Sequence, residues 1–189
     1  MNHEVDKIKF PLVSVGVITY NQAHFIEQTL QSIVSQNYPN LEILVGDDCS
    51  TDTSRQIILA LAQKNTAIKP LFLDTNQGIT GNSNLVLKNA KGRYFILFGG
   101  DDLMEPGRIT KQVEILQNNP QAAICCTDIE VFHDGNEKDS YIYRNKVFYN
   151  DLGPAKVISQ ENAPPTSALM FDLNKGIGIT FDVRTPVVS

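Results

Sequence analysis

Short apolar runs alternate along the first two thirds of the chain with polar stretches in which apolar side chains recur every three or four positions. The runs "LVSVGVIT" (12–19), "LEILVGDD" (41–48), "PLFLD" (70–74) and "RYFILFGG" (93–100) predict strands. Between them, "AHFIEQTLQSIVSQ" places Phe25 or Ile26, Leu30, and Ile33 or Val34 at helical spacing. "TSRQIILALAQK" puts Ile57 and Leu61 on one face, with Thr53 and Gln56 spaced as a capping box. "TGNSNLVLKNAKG" predicts a third helix. "GRITKQVEILQNN" predicts a fourth, with Ile109, Val113 and Leu116 as its inward stripe and Pro120 as its end. Near-continuous apolar strands alternating with amphipathic helices predict an α/β fold: a Rossmann-like, mostly parallel sheet with helices on both faces.

The last third has a different pattern. "AAICCTDIEVF" predicts one further strand, "HDGN" a turn, and residues 141–149 an antiparallel partner, giving a smaller antiparallel portion. "ENAPPTSALMFD" reads as a proline-marked loop entering a short strand.

Composition narrows the function classes. With 189 residues the chain fits one domain, and 42% hydrophobic with 20% charged residues is ordinary for a globular protein. A net charge of −5 without a basic stripe argues against nucleic acid as a partner. No apolar run has the length of a membrane helix, and "MNHEVDKIKF" carries no signal-peptide core. Cys49, Cys125 and Cys126 show no metal-ligand spacing, and adjacent Cys125 and Cys126 on a strand would face opposite sides. His3, His24 and His133 are scattered.

In open α/β sheets ligands bind beyond the carboxyl ends of the strands. Polar clusters fall there: "TYN", "DDCSTD", "DTNQG" and "GGDD". Helix capping and turn formation account for any one of them, but poorly for two adjacent Asp pairs, which repel unless a cation or a donor-rich ligand offsets their charge. Asp101 and Asp102 offer hard oxygen ligands suited to Mg²⁺ or Mn²⁺, and Gly99 and Gly100 would let a diphosphate approach the backbone. Asp47 or Asp48 could accept from a base imide or ribose hydroxyls, and Tyr20 could stack on a base. Neither GxGxxG nor GxxxxGK[ST] is present.

"VSVGVITYNQAHFIEQTLQSIVSQNYPNLEILVGDDCSTDTS" resembles the N-terminal signature of family 2 glycosyltransferases of the GT-A fold. "NQGITGNSNLVLKNAKGRYFILFGGDDLMEPGRITKQ" resembles the continuation through their acidic metal motif, and the likeness runs on through "PPTSALMF". The resemblance implies a single domain over 1–189, with 1–119 binding the nucleotide sugar and 120–189 beginning an acceptor-side part that is cut short. It implies that Thr19, Tyr20, Asn21 and Gly78 line a nucleotide pocket, that Asp48 with Asp47 beside it contacts uracil or ribose, and that Asp101 and Asp102 take the metal and ribose-diphosphate positions. Two departures stand out. Gly99 replaces an acid common in the family, and Ser83 before Asn84 replaces a frequent Arg.

The implied reaction moves a sugar, with inversion, from a nucleotide-diphosphate donor such as a UDP-sugar to a saccharide or lipid-linked acceptor. It is assisted by Mg²⁺ or Mn²⁺. The implied setting is surface polysaccharide or glycolipid assembly in the cytoplasm, with peripheral association at the inner membrane face. The general base is expected beyond Ser189; Asp128, Glu161, Asp172 and Asp182 are in-chain alternatives that read as solvated strand or loop acids. A non-catalytic nucleotide-sugar-binding or scaffold domain is the alternative. A nucleotidyltransferase would need a glycine-rich, basic loop after the first strand, which "VITYNQAHF" lacks.

Overall fold

The structure, a computed structural model, describes residues 9–133, 136–143, 165–176 and 179. Four βα units open the chain: β1 (Val13–Thr19), α1 (Ile26–Val34), β2 (Leu41–Asp47), α2 (Ser54–Lys64), β3 (Ile68–Phe72), α3 (Gly78–Asn89), β4 (Tyr94–Gly99) and α4 (Arg108–Asn118). Then come β5 (Ile124–Cys126), β6 (Ile129–His133), β7 (Asn136–Tyr143) and β8 (Leu169–Asp172), the last entered through a 3₁₀ turn at Thr166–Ala168. The main sheet has the order β3-β2-β1-β4-β8-β5, and β6 and β7 form a separate antiparallel pair. β1 pairs parallel with β2 and β4, and β2 with β3, so four carboxyl ends lie at one edge.

The alternation along β4 shows why the central strands read as continuous apolar runs. Tyr94, Ile96 and Phe98 pack on one side of the sheet with Val13, Val15, Val17, Ile43 and Val45, under Ile26, Leu30 and Ile33 of α1, Ile58 of α2 and Ile109, Val113 and Leu116 of α4. Phe95 and Leu97 face the other side with Leu44, Leu169, Phe171 and Val86 of α3. Helix α3 can press onto that side because β1 and β2 carry glycines there. A Cβ on Gly16 would meet Val86 Cγ2 at 2.7 Å, and one on Gly46 would meet Asn82 Oδ1 at 2.1 Å.

Several expectations need correction. The strand expected at 70–74 lies at Ile68–Phe72. Pairing with β2 begins at Ile68, and Pro70 is tolerated inside the strand because β3 is the sheet edge. The first helix starts at Ile26, with Ile33 buried and Val34 exposed. On α2 the deeply buried apolar residue is Ile58, while Ile57 and Leu61 are only partly buried. Thr53 makes no side-chain cap; Asp52 does that work, its Oδ1 accepting Ser54 N–H at 2.9 Å.

The single strand expected after Pro120 is two. β5 joins the main sheet, whereas β6 pairs with β7. β8 inserts antiparallel between β4 and β5, an order that no local pattern specified. As expected, Cys125 and Cys126 fall on opposite sides of the sheet. The expected turn at 133–136 joins β6 to β7, with His133 paired to Asn136; its residues 134–135, the strand continuation at 144–149, Glu161 and Asp182 lie outside the described residues.

Candidate functional site

The polar clusters after β1, β2, β3 and β4 share one edge of the sheet, as the parallel register requires. Because β8 runs antiparallel, its leading turn with Ser167 and Ala168 reaches the same edge. Thr127, just after β5, donates its N–H to Ala168 O at 3.2 Å.

Much of the first two clusters is engaged in holding itself together. Asn21 has φ 52° and its N–H reaches Ser50 Oγ at 2.9 Å, while its Oδ1 accepts the N–H of Thr51 at 2.8 Å and of Asp52 at 3.4 Å. Gln22 N–H bonds Ser54 Oγ at 3.1 Å and Ala23 N–H bonds Asp52 Oδ2 at 3.0 Å. The loops after β1 and β2 are therefore one stitched unit.

Asp47 is fully buried. Its Oδ1 accepts Arg55 Nε at 2.5 Å and Ser50 N–H at 3.0 Å, and its Oδ2 has no hydrogen-bond partner among the described residues. The same Arg55 donates to Leu73 O and stacks 5.0 Å from the Phe72 ring; its hydrogen bond to Asp47 raises its pKa. Asp48 is 3% exposed, and its Oδ1 accepts Gln77 N–H at 2.6 Å, joining the β2 end to the start of α3. Gly78 opens α3 at φ 74° and is exposed, and Tyr20 is 47% exposed at the end of β1. Thr19 is buried, its hydroxyl donating to Gln22 Oε1 at 2.9 Å. Ser83 is buried in α3, its hydroxyl without a partner among the described residues.

The "GGDD" segment is pinned from below by α1. Thr29 Oγ1 donates to Gly100 O at 2.9 Å and Ser32 Oγ accepts Met104 N–H at 3.0 Å. Gln36 Nε2 donates to Met104 O at 3.1 Å and Glu105 O at 2.9 Å. These three anchors escaped the reading of the sequence. Their signal was present in the spacing of Thr29, Ser32 and Gln36 along one flank of the apolar stripe. Gly100 is squeezed against β1, where an added Cβ would meet Gln22 Oε1 at 2.5 Å and Thr19 Cβ at 2.8 Å.

Asp101 is exposed and Asp102 half-buried, and both carboxylates lean over Gly99. A Cβ placed on Gly99 would lie 2.9 Å from Asp101 Oδ1 and 3.0 Å from Asp102 Oδ2. Two carboxylate oxygens thus border the place where a side chain on residue 99 would stand. Burial pushes the Asp102 carboxyl above its usual range and Asp101 adds to this; Ser167, Gly99 N–H and the positive Arg108 pull the other way. Burial in turn lowers Arg108 to about 10, which leaves it a cation at neutral pH.

This donor set fits Mg²⁺ or Mn²⁺, which take one or two carboxylates and complete their shell with substrate phosphates and water. Among the described residues no group of three or more His, Cys, Asp or Glu side chains could hold a metal ion. Two carboxylates therefore suffice only with oxygens from a ligand.

Of the in-chain acids considered as a general base, Asp172 is 1% exposed and ion-paired with Arg93 at 2.9 Å. It pairs with Tyr94, the first residue of β4, at the edge of the sheet opposite Asp101. It is neither solvated nor near the site. Asp128 follows β5 at the crevice edge and is exposed.

Known proteins resemble this chain in sequence and in fold. TuaG, a putative teichuronic acid biosynthesis glycosyltransferase of Bacillus subtilis (strain 168), is 32% identical over 133 residues, 70% of this chain and 53% of that protein. The uncharacterized glycosyltransferase alr2836 of Nostoc sp. is 32% identical over 166 residues, covering 84% of this chain and 50% of that one. Among solved structures, S. aureus TarS in complex with UDP superposes with TM-score 0.56 and 29% identity over 60% of this chain and 34% of TarS. The mannosyltransferase PcManGT from Pyrobaculum calidifontis, in complex with GDP-Man and Mn²⁺, gives TM-score 0.57 and 27% identity over 63% of this chain and 36% of that one. The chain spans about half the length of these curated relatives. The architecture is that of GT-A glycosyltransferases, and residues 14–177 match the model of glycosyl transferase family 2, to which this chain belongs.

Proposed function

We propose that the carboxyl edge of the parallel sheet binds the nucleoside diphosphate of an activated sugar, and that the protein transfers this sugar to an acceptor hydroxyl with inversion. The observation that carries the reading is the convergence of Asp101 Oδ1 and Asp102 Oδ2 over Gly99, whose missing side chain leaves the space between them open to a ligand. The base end of the ligand lies toward β1 and β2. Tyr20 offers an exposed ring, Asp48 a carboxylate already oriented by Gln77 N–H, and Gly78 an open helix start. Asn21 and Asp47 act from behind this surface, by stitching the two loops and by anchoring Arg55. Thr19 supports Gly100 from beneath.

Asp101 and Asp102 would hold Mg²⁺ or Mn²⁺ together with the diphosphate. Such an ion supplies Lewis-acid stabilisation of the charge that develops on the leaving diphosphate. Attack by the acceptor also needs a base to take its proton, and no described carboxylate is assigned that role. UDP is the leaving group we favour: one structural neighbour, TarS, is known with UDP and with UDP-GlcNAc, and another, PcManGT, with GDP-Man makes GDP the second candidate. The division into a donor part (1–119) and an acceptor part (120–189), a saccharide or lipid-linked acceptor, and work at the cytoplasmic membrane face complete the proposal. No described helix is long and apolar enough to cross a membrane.

Saturation-transfer NMR with UDP-glucose, UDP-GlcNAc and GDP-mannose tests the reading. Enhancement of base and ribose protons for one donor family, reduced in Asp48→Asn, is expected. Equal and unselective signals that Asp48→Asn leaves unchanged would reject the assigned orientation.

A further inference from the structure

Gln22 lies in the loop after β1, and all but one of its polar groups are engaged. Its N–H donates to Ser54 Oγ at 3.1 Å, and its carbonyl accepts the N–H of Phe25 and of Ile26, each at 3.0 Å, at the start of α1. Its Oε1 accepts the Thr19 hydroxyl at 2.9 Å. That oxygen lies 2.5 Å from where a Cβ on Gly100 would stand, so the amide rests against the residue before Asp101. Gly100 is held in place as well, its N–H donating to Ile18 O at 2.9 Å and its carbonyl accepting Thr29 Oγ1 at 2.9 Å. The group that remains is Nε2. It has no hydrogen-bond partner among the described residues, and on this half-buried side chain it is not one of the buried polar atoms left without one. A donor with access to solvent, on an amide fixed through its oxygen, therefore stands beside the acid pair.

We propose that Gln22 is a further binding residue, its Nε2 donating to a diphosphate oxygen of the activated sugar beside Gly100, on the β1 side of the acid pair. The proposal rests on the reading of this edge as a diphosphate site given above. A diphosphate approaching Asp101 and Asp102 is repelled by them and needs donors as well as a cation. Two nearby guanidinium groups are committed elsewhere. Arg55 gives Nε and Nη2 to Asp47 and Leu73 O, and Arg108 gives the same atoms to Gln112 and Ser167 O. An amide held by its oxygen keeps its nitrogen in one direction, so little side-chain freedom is lost when it binds. Gly100 makes this possible, because any Cβ there would collide with Oε1 and turn the amide away.

The test is isothermal titration of the 189-residue chain with UDP in the presence of Mn²⁺, for the unaltered chain, Gln22→Glu, Gln22→Met, Gln22→Lys and Asp101→Asn. Thermal unfolding of each variant without ligand serves as the fold control. Gln22→Glu keeps the shape and the acceptor for Thr19 but removes the donor, and Gln22→Met removes both. Each should weaken UDP binding by about tenfold, the scale of one hydrogen bond to a charged group. Gln22→Lys supplies a donor again while offering Thr19 no acceptor, and should bind UDP more tightly than Gln22→Met. A side chain that served only to hold Thr19 would give the reverse order, with Gln22→Glu harmless and Gln22→Lys as poor as Gln22→Met. The proposal is overturned by that order, or if either Gln22→Glu or Gln22→Met binds UDP as tightly as the parent. A parent chain that binds no UDP, or an Asp101→Asn variant that binds it undiminished, would instead remove the diphosphate reading beneath the proposal, and the proposal with it.

Discussion

At the scale of single residues, the buried polar groups divide into those that hold the sheet and those that face the crevice. Glu42 belongs to the first kind. It is 3% exposed and accepts Ser14 Oγ at 2.6 Å, Lys69 Nζ at 2.6 Å and Lys91 N–H at 2.8 Å. Burial alone would raise its pKa, but these donors outweigh it and the carboxyl lies below its ordinary value. A carboxyl depressed in the folded state contributes stability above its unfolded pKa and loses it as the pH falls through the folded value. Chemical denaturation of the parent chain should therefore show stability falling through the acid range, and Glu42→Gln should flatten that dependence. Glu42→Ala at neutral pH should cost about 2 to 3 kcal/mol, since Ser14 and Lys91 lose their acceptor. Glu42 gave no sign of this role in the sequence, because a lone acid in "NLEILVGDD" looks like the solvent side of a strand. Its partners are 27 and 49 positions away, and only the closed sheet brings them together.

At the scale of elements, α1 and α3 set the site from opposite faces of the sheet. Gln36 ties the C-terminal end of α1 to Met104 O and Glu105 O, and its Oε1 accepts Ile109 N–H at 3.4 Å at the start of α4. Gln36→Ala should cost about 1 to 3 kcal/mol. In hydrogen exchange its effect should centre on the amides of residues 100–109; uniform loss of protection would mean that Gln36 is merely a core residue. On the other face α3 leans on Gly46, where an alanine Cβ would meet Asn82 Oδ1 at 2.1 Å. Gly46→Ala should lower stability by about 1 to 3 kcal/mol as α3 is pushed away, read as a shift in denaturation midpoint.

The four βα units were legible because β1, β2 and β4 are buried on both faces and the helices between them carry apolar stripes, whereas β3 at the sheet edge is half-exposed and was read two residues late. Where the pattern weakens, so did the reading. β5 is only three residues long, the adjacent pair β6 and β7 has many exposed positions, and the placement of β8 depends on long-range pairing that leaves no periodic mark.

At the scale of the whole molecule, the candidate site is a property of the sheet edge rather than of any one loop. Residues after β1, β2, β3 and β4 and before β8 meet there because four parallel strands end together and one antiparallel strand begins beside them. The sequence marked the acidic pair and the strand-end clusters. It did not show that Asn21 turns inward onto the loop after β2, or that Asp47 is buried against Arg55 of α2. The role of Asn21 depends on contacts with Thr51 and Asp52, 30 and 31 positions away.

The central claim is that this edge binds a nucleoside diphosphate through a metal ion held by Asp101 and Asp102. Thermal unfolding of the chain with UDP, GDP, dTDP and CDP, each with and without Mn²⁺, tests it most directly, because a ligand bound only to the folded state raises the melting temperature. The expected result is a rise of roughly 2 to 5 °C for at least one nucleotide at saturating concentration. It should be present only with Mn²⁺ and lost in Asp101→Asn. No rise with any of the four under either condition, or a rise that survives Asp101→Asn, would contradict the claim.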